Sequence, residues 1–158
     1  MNVLQKTLSL LTLSLAILFI QSGFAQSNDV RTITIIGQDN MQFSETLIEA
    51  EPGETIRLVL EVKSNMPKTA MAHNVALLDL GVNVEEFVLA SMGESDNEYI
   101  APTYEDQVIA ATEMIGGGDT STIEFTVPIN PGDYTYVCTF PGHYFAGMKG
   151  VLRVAEAS

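Results

Sequence analysis

Short stretches in which apolar and polar residues alternate recur along most of the chain. The clearest are 55–62 (TIRLVLEV) and 120–127 (TSTIEFTV). Alternation with a period of two is typical of half-buried β-strands. Shorter segments of the same kind lie at 31–36, 46–49, 73–78, 107–111, 134–138 and 150–154. Pro-Gly turns separate several of these segments, so the pattern predicts an all-β sandwich of seven or eight strands.

One segment departs from this pattern and predicts a short helix. Asn83 is a suitable N-cap, Glu86 stands three residues later as its capping-box partner, and Gly93 suits the helix end. The apolar face of this helix would comprise Val84, Phe87, Val88 and Ser91. The acidic, irregular segment 96–106 follows, and we expect it to cover one side of the sandwich.

The N-terminal residues have the pattern of a secretory signal peptide. Lys6 precedes an apolar run from Leu8 to Ile20, and Gly23-Phe24-Ala25 supplies small residues for cleavage. The alternative is a membrane anchor, but the run is shorter than the ~20 residues that a spanning helix needs. We therefore predict a signal peptide at 1–25, a single domain at 26–158 and no stable membrane insertion. The destination would be the periplasm, with full secretion left open.

The predicted domain is strongly acidic. The whole chain has a net charge of −13, and residues 26–158 carry −14 because Lys6 lies in the signal peptide. This sign is wrong for binding nucleic acid. It suits a basic protein partner, although solubility alone would also account for it.

The chain holds one cysteine and two histidines, and their placement indicates a metal site. Cys138, His143 and Met148 follow one another at five-residue intervals, and His73 is the second histidine. A lone cysteine in an exported protein is a liability unless it is buried or bound. Two histidines, one cysteine and a weak axial methionine suit copper, whereas structural zinc sites usually contain more cysteines. Each residue alone has an ordinary packing role, but together they indicate mononuclear copper.

Several motifs resemble one known family. CTFPGH at 138–143, GMKG at 147–150, NMPKTAMAHN at 65–74 and VIAATEMIGGG at 108–118 are similar to segments of azurin and auracyanin. These are blue (type 1) copper proteins of the cupredoxin family, and the resemblance extends over 31–154. It implies a Greek-key β-sandwich whose helix lies in an excursion. It also implies a periplasmic one-electron carrier that cycles one copper ion between Cu(II) and Cu(I).

The resemblance also implies a set of copper ligands. His73, Cys138 and His143 would be the equatorial ligands, and Met148 the axial one. Azurin has a glycine before its first ligand histidine, and the carbonyl of that glycine approaches the copper. This chain has Ala72 there, so we expect four coordination, with a weak carbonyl contact from Ala72 as the alternative.

Two further residues would support the cysteine. By the resemblance, the side chain of Asn74 would hydrogen-bond toward the loop that follows Cys138 and stiffen it. The backbone amides of Asn74 and Phe140 would donate to the cysteine sulfur.

We expect an electron-transfer protein, not an enzyme, and a monomer. Copper oxidases and nitrite reductases need further histidines for a second metal centre, and this sequence has none. The alternative is a carrier or storage protein that delivers copper instead of electrons.

Expected partners are redox proteins, such as a basic cytochrome c or a terminal reductase or oxidase. Two surface features would contact these partners. The first is an apolar patch at His143, drawn from Phe140, Pro141, Tyr144, Phe145, Met66 and Pro67. The second is a set of acidic residues, drawn from Glu94, Asp96, Glu98, Glu105 and Asp106.

Overall fold

The computed structural model describes residues 30–156, so the predicted signal peptide lies outside the described residues. Each segment predicted to be a strand contains one. The strands are β1 Arg31–Gln38, β2 Leu47–Ala50, β3 Thr55–Lys63, β4 Ala76–Leu78, β5 Val108–Ala111, β6 Thr120–Thr126, β7 Gly132–Val137 and β8 Lys149–Val154. A single α-helix within the described part, α1, spans Val84–Ser91. The predicted all-β class with one short helix is confirmed.

The strands form two sheets. The first has the order β1-β3-β6, and the second has the order β2-β8-β7-β4-β5. Strands β1 and β3 pair in parallel, as do β2 and β8, while the other pairs are antiparallel. Neighbours in a sheet are therefore often distant in sequence. This crossed order is the Greek-key arrangement expected from the resemblance.

The main core lies where the apolar faces of the two sheets meet. On β3, Ile56, Leu58, Leu60 and Val62 are buried, whereas Val59 is only half-buried. Leu58, not Val59, therefore continues the inward face, as strict alternation requires. The facing sheet contributes buried residues from β7 and β8, among them Tyr134, Tyr136, Leu152 and Val154.

Helix α1 covers the outer side of β4 and forms a second, smaller core. Phe87 and Val88 of the helix cluster with Ala76 and Leu78, while Val75 and Leu77 belong to the main core. Because β4 is buried on both faces, its sequence is a continuous apolar run without alternation. The predicted N-cap is also found, since the Asn83 side chain accepts a hydrogen bond from the amide of Glu86 at 3.4 Å.

The acidic segment after α1 forms two 3₁₀ helices, Ser95–Asn97 and Pro102–Gln107. Between them, Glu98 and Tyr99 have φ angles of 53° and 55°. Residues other than glycine rarely adopt this left-handed backbone conformation. Among residues 30–156, none of the helices is long and apolar enough to span a bilayer.

Candidate metal centre

His73 is held by a short backbone bridge that precedes β4. Its amide donates to the carbonyl of Ile115 and its carbonyl accepts from the Ile115 amide, both at 2.9 Å. Regular pairing begins only at Ala76, although the apolar pattern predicted a strand from His73. The ladder starts late because the Val75 amide donates to the side-chain oxygen of Thr112. His73 therefore lies in a bridge between two segments, and its side chain is fully buried.

Cys138 and His143 lie in a tightly closed loop between β7 and β8. The Cys138 amide donates to the Met148 carbonyl at 3.1 Å, and the Met148 amide donates to the His143 carbonyl at 3.0 Å. Gly142 has a φ of 88°, which glycine adopts without strain and which lets the chain reverse before His143. The loop thereby places Cys138 and His143 side by side, as the Pro-Gly turn predicted.

The three side chains converge on a common point. The Nδ1 atoms of His73 and His143 are 3.1 Å apart, and the Cys138 sulfur lies 3.8 Å and 3.5 Å from them. The circumcentre of this triangle lies about 2.0 Å from each atom, which matches metal–nitrogen bonds and is slightly short for metal–sulfur bonds. The residues therefore fit a single trigonal metal ion.

The second nitrogen of His73 supports the same assignment. Its Nε2 is buried and makes no hydrogen bond of standard geometry with the described residues, whereas Nδ1 faces the other two donors. With Nδ1 as the metal-binding nitrogen, Nε2 carries the proton of the neutral ring. Each histidine thus offers one unprotonated nitrogen to the same point.

Burial keeps all three donors uncharged in the metal-free protein. Burial and the neighbouring His143 lower the pKa of His73 to about 4, and burial also lowers the pKa of His143. Burial raises the pKa of the Cys138 thiol to about 12, although backbone amides act in the opposite direction. At neutral pH the imidazoles are therefore ready to bind a metal, and only the thiol must lose a proton.

The surroundings of Cys138 include Asn74 and Phe140, the two residues that the resemblance implies. Their backbone amides act to lower the pKa of the thiol, against the effect of burial. The Asn74 side chain accepts from the Thr139 amide at 2.9 Å and donates to the Thr139 hydroxyl at 2.8 Å. Asn74 therefore ties the segment that carries His73 to the segment that carries Cys138.

Two further predicted contributors, Met148 and Ala72, lie next to the ligands, but their roles toward the metal are not tested. Met148 is fully buried in the same core cluster as Cys138. The carbonyl oxygen of Ala72 lies 4.0 Å from the Cys138 sulfur, so the backbone also approaches the site. The axial role of Met148 and the weak contact of Ala72 stay predictions.

Gly37 contributes to the site, although the sequence patterns did not identify it. A Cβ at this position would lie 2.9 Å from Cδ2 of His73, which is closer than side chains pack. The absence of a side chain on β1 therefore makes room for the imidazole. No sequence signal marks this glycine, because the contact forms only when β1 folds against the His73 segment.

His143 packs against an aromatic side chain of its own loop. His143 is 3% exposed, and the Phe140 ring packs 4.7 Å from it, centre to centre. Phe140 is only partly exposed, so it also packs the loop. Phe145 and Met66 are 51% and 44% exposed. The place of Phe145 and Met66 in an apolar patch at His143 stays a prediction.

Together, the sandwich and its buried His–Cys–His site define a cupredoxin with a mononuclear copper centre. A sequence model described as copper binding proteins of the plastocyanin/azurin family matches residues 30–155. The chain therefore belongs to the plastocyanin/azurin family of copper-binding proteins. Its resident metal is copper, and His73, Cys138 and His143 are positioned to hold it.

Individual relatives agree with this assignment. Azurin iso-2 of Methylomonas sp. (strain J) is 35% identical over 130 residues, covering 78% of this chain and 96% of that protein. Auracyanin-B of Chloroflexus aurantiacus is 33% identical over 131 residues, covering 82% of this chain and 52% of that protein. The chain thus spans about half the length of that relative. Reduced auracyanin of Roseiflexus castenholzii has a TM-score of 0.69 at 30% identity, with 78% of this chain and 96% of that one covered.

Proposed function

We propose that this protein is an exported one-electron carrier. The observation that carries the proposal is the buried triangle of Nδ1, Nδ1 and sulfur atoms, whose sides measure 3.1, 3.5 and 3.8 Å. Copper, when bound, supplies the Cu(II)/Cu(I) couple, and thiolate and imidazole suit both oxidation states. Donors that are already in place need to move little between the two states.

The fold restricts the movement of these donor atoms and excludes water from them. The His73 segment is tied to Ile115 by two backbone hydrogen bonds and to the Cys138 loop through Asn74. Of the three ligands, none is more than 3% exposed. Both features oppose rearrangement of the site during electron transfer. Met148 would complete the ligand set as a weak axial donor from the loop end, with Ala72 as a further weak contact.

Electrons would enter and leave through the edge of His143. Of the three ligands, His143 is the one with exposed surface, while the other two are fully buried. We assign to the apolar patch around it the adjacent Phe140 together with Pro141, Phe145 and Met66. A small apolar contact suits the brief, weak complexes of redox partners.

The proposed partners are redox proteins with basic surfaces, such as a cytochrome c or a terminal reductase or oxidase. The acidic 3₁₀ segment supports this, since Asp96, Glu105 and Asp106 are exposed, whereas the carboxylate of Glu98 accepts a hydrogen bond from the Met114 amide. Opposite charges accelerate encounter, and salt screens this attraction. The transfer rate to a basic cytochrome c should therefore fall as ionic strength rises. A rate that rises with salt would contradict the proposed partner class.

A redox titration of copper-loaded protein tests the function itself. A carrier should titrate reversibly with one electron per protein and survive repeated cycles with its copper retained. Copper delivery, the other candidate, predicts rapid loss of the metal to a modest chelator in either oxidation state. Burial of all three ligands favours retention. Irreversible reduction with release of copper would overturn the electron-carrier proposal.

The proposed location is the periplasm. Its support is the N-terminal sequence pattern, together with relatives of the azurin type. N-terminal sequencing of protein recovered from a periplasmic extract should begin at Gln26. Recovery of the full chain with Met1 from the cytoplasm would contradict export.

A further inference from the structure

Glu98 contacts both segments that carry the copper ligands, although it lies in the acidic segment after α1. Its carboxylate accepts a hydrogen bond from the amide of Met114, and Met114 immediately precedes the residue that bridges His73. Its backbone carbonyl lies 3.3 Å from Asn74 Nδ2 and 3.4 Å from the Thr139 hydroxyl. One residue thus meets the His73 side and the Cys138 side of the site.

The next residue extends this contact to the remaining ligand. The ring of Tyr99 packs edge-on against Phe140 with centroids 5.6 Å apart, and Phe140 packs 4.7 Å from His143. Glu98 and Tyr99 together therefore reach the surroundings of all three ligands. We refer to this pair as the brace.

The backbone of the brace is strained. Both residues have φ angles near +55°, a backbone conformation that is unfavourable for residues other than glycine. Such strain persists only where the surrounding contacts enforce it, and it concentrates at functional sites. The carboxylate of Glu98 is one of these contacts, because it anchors the strained turn to Met114.

We propose that Glu98 is a positioning residue of the copper centre. It acts through Asn74, Thr139 and the Met114–Ile115 segment, not by touching the metal. Its anchored carboxylate keeps its own carbonyl against Asn74 and Thr139, and so limits movement of the Cys138 loop relative to His73. The effects expected on bound copper rest on the proposed function, whereas the anchoring of Glu98 to Met114 can be measured in the metal-free protein.

Four variants separate the effect of the Met114 hydrogen bond from the effects of the charge and of the backbone strain. Glu98→Ala removes the carboxylate, whereas Glu98→Gln keeps an oxygen that can accept the Met114 amide. Glu113→Ala is the matched control, because it removes an equal charge beside Met114 and its side chain is exposed. Glu98→Gly also removes the carboxylate but relieves the unfavourable φ.

Hydrogen exchange of the metal-free protein is the first readout. Losing one hydrogen bond should speed exchange of the Met114 amide about fivefold to tenfold in Glu98→Ala and Glu98→Gly. Glu98→Gln and Glu113→Ala should stay within about twofold of the unmodified protein. Equal exchange in Glu98→Ala and Glu113→Ala would overturn the anchoring step, whether or not the protein carries electrons.

The copper-loaded protein gives the second readout. Glu98→Ala should lose copper to a chelator several times faster, and its thiolate-to-copper absorption and reduction potential should shift. Glu98→Gln should restore all three properties, which a loss of general stability would not do. Unchanged spectrum, potential and copper loss in Glu98→Ala would overturn the positioning role. A protein that never turns blue would instead refute the proposed function and leave the exchange result standing.

Discussion

Asn74 and Thr139 are joined by hydrogen bonds that use both backbone and side chain. The Thr139 amide donates to Asn74 Oδ1 at 2.9 Å, and Asn74 Nδ2 donates to the Thr139 hydroxyl at 2.8 Å. Both residues are fully buried. Each follows a metal ligand directly in sequence, His73 and Cys138 respectively. The pair therefore couples the two halves of the copper site.

Replacing Asn74 should uncouple these halves. Asn74→Ala leaves the buried Thr139 amide without an acceptor, so we expect a loss of about 2–3 kcal/mol in the free energy of unfolding of the metal-free protein. Urea denaturation measures this loss. Thr139→Ser is the control, because it retains both the amide and a hydroxyl, and it should cost less than about 1 kcal/mol. Equal losses in the two variants would contradict the proposed coupling.

Gly37 should be intolerant of any side chain. In Gly37→Ala the new Cβ would meet the His73 ring at 2.9 Å, so the imidazole must move. We expect weaker copper binding, by tenfold or more for a misplaced ligand, and an altered electron paramagnetic resonance spectrum. Gly93→Ala is the matched control, because a Cβ there meets no atom within 4 Å. Normal copper affinity in Gly37→Ala would show that β1 does not constrain the ring.

The ion pair of Arg31 and Glu54 should make stability depend on pH. Burial acts to raise the pKa of Glu54, but hydrogen bonds from Arg31 and the Glu51 amide and the Arg31 charge outweigh it. The pKa in the fold is thus below the ordinary value of 4.5. Such a group stabilises the fold above pH 4.5, and its contribution is lost as the pH falls through the folded pKa.

Glu54→Gln should therefore lower the free energy of unfolding at pH 7 by about 1 kcal/mol. The difference from the unmodified protein should shrink as the pH falls below 4.5. Denaturation of the metal-free proteins across this range measures both effects. Glu124→Gln is the control, because it breaks a more exposed ion pair with Arg57 and should change stability little. A difference that grows at low pH would contradict the assigned direction of the shift.

The sequence predicts local structure and the ligands in one loop well, for physical reasons. Ile56 and Leu60 lie on one face of a strand because side chains alternate, and this alternation is visible in the sequence. The loop from Cys138 to Met148 is equally visible, since its residues are close along the chain. His73 was identified as the second of two histidines in the chain, and the resemblance to known motifs suggested the roles of Asn74 and Phe140.

Contacts between distant segments could not be predicted in this way. Gly37 meets His73 only because β1 folds against the bridge, and Glu98 reaches Met114 through a strained turn with no sequence signature. The strand predicted from His73 begins at Ala76 instead. The pattern shows that 73–78 is buried, but not that the Val75 amide bonds to Thr112.

The most direct test of the central claim is a visible absorption spectrum after adding one equivalent of Cu(II) to residues 26–158. We expect an intense blue thiolate-to-copper band that ascorbate bleaches and that Cys138→Ser abolishes. Cys138→Ser should retain the fold, since serine is nearly isosteric with cysteine, and circular dichroism checks this. A colourless copper complex, or a blue band that persists in Cys138→Ser, would contradict a copper centre built on Cys138.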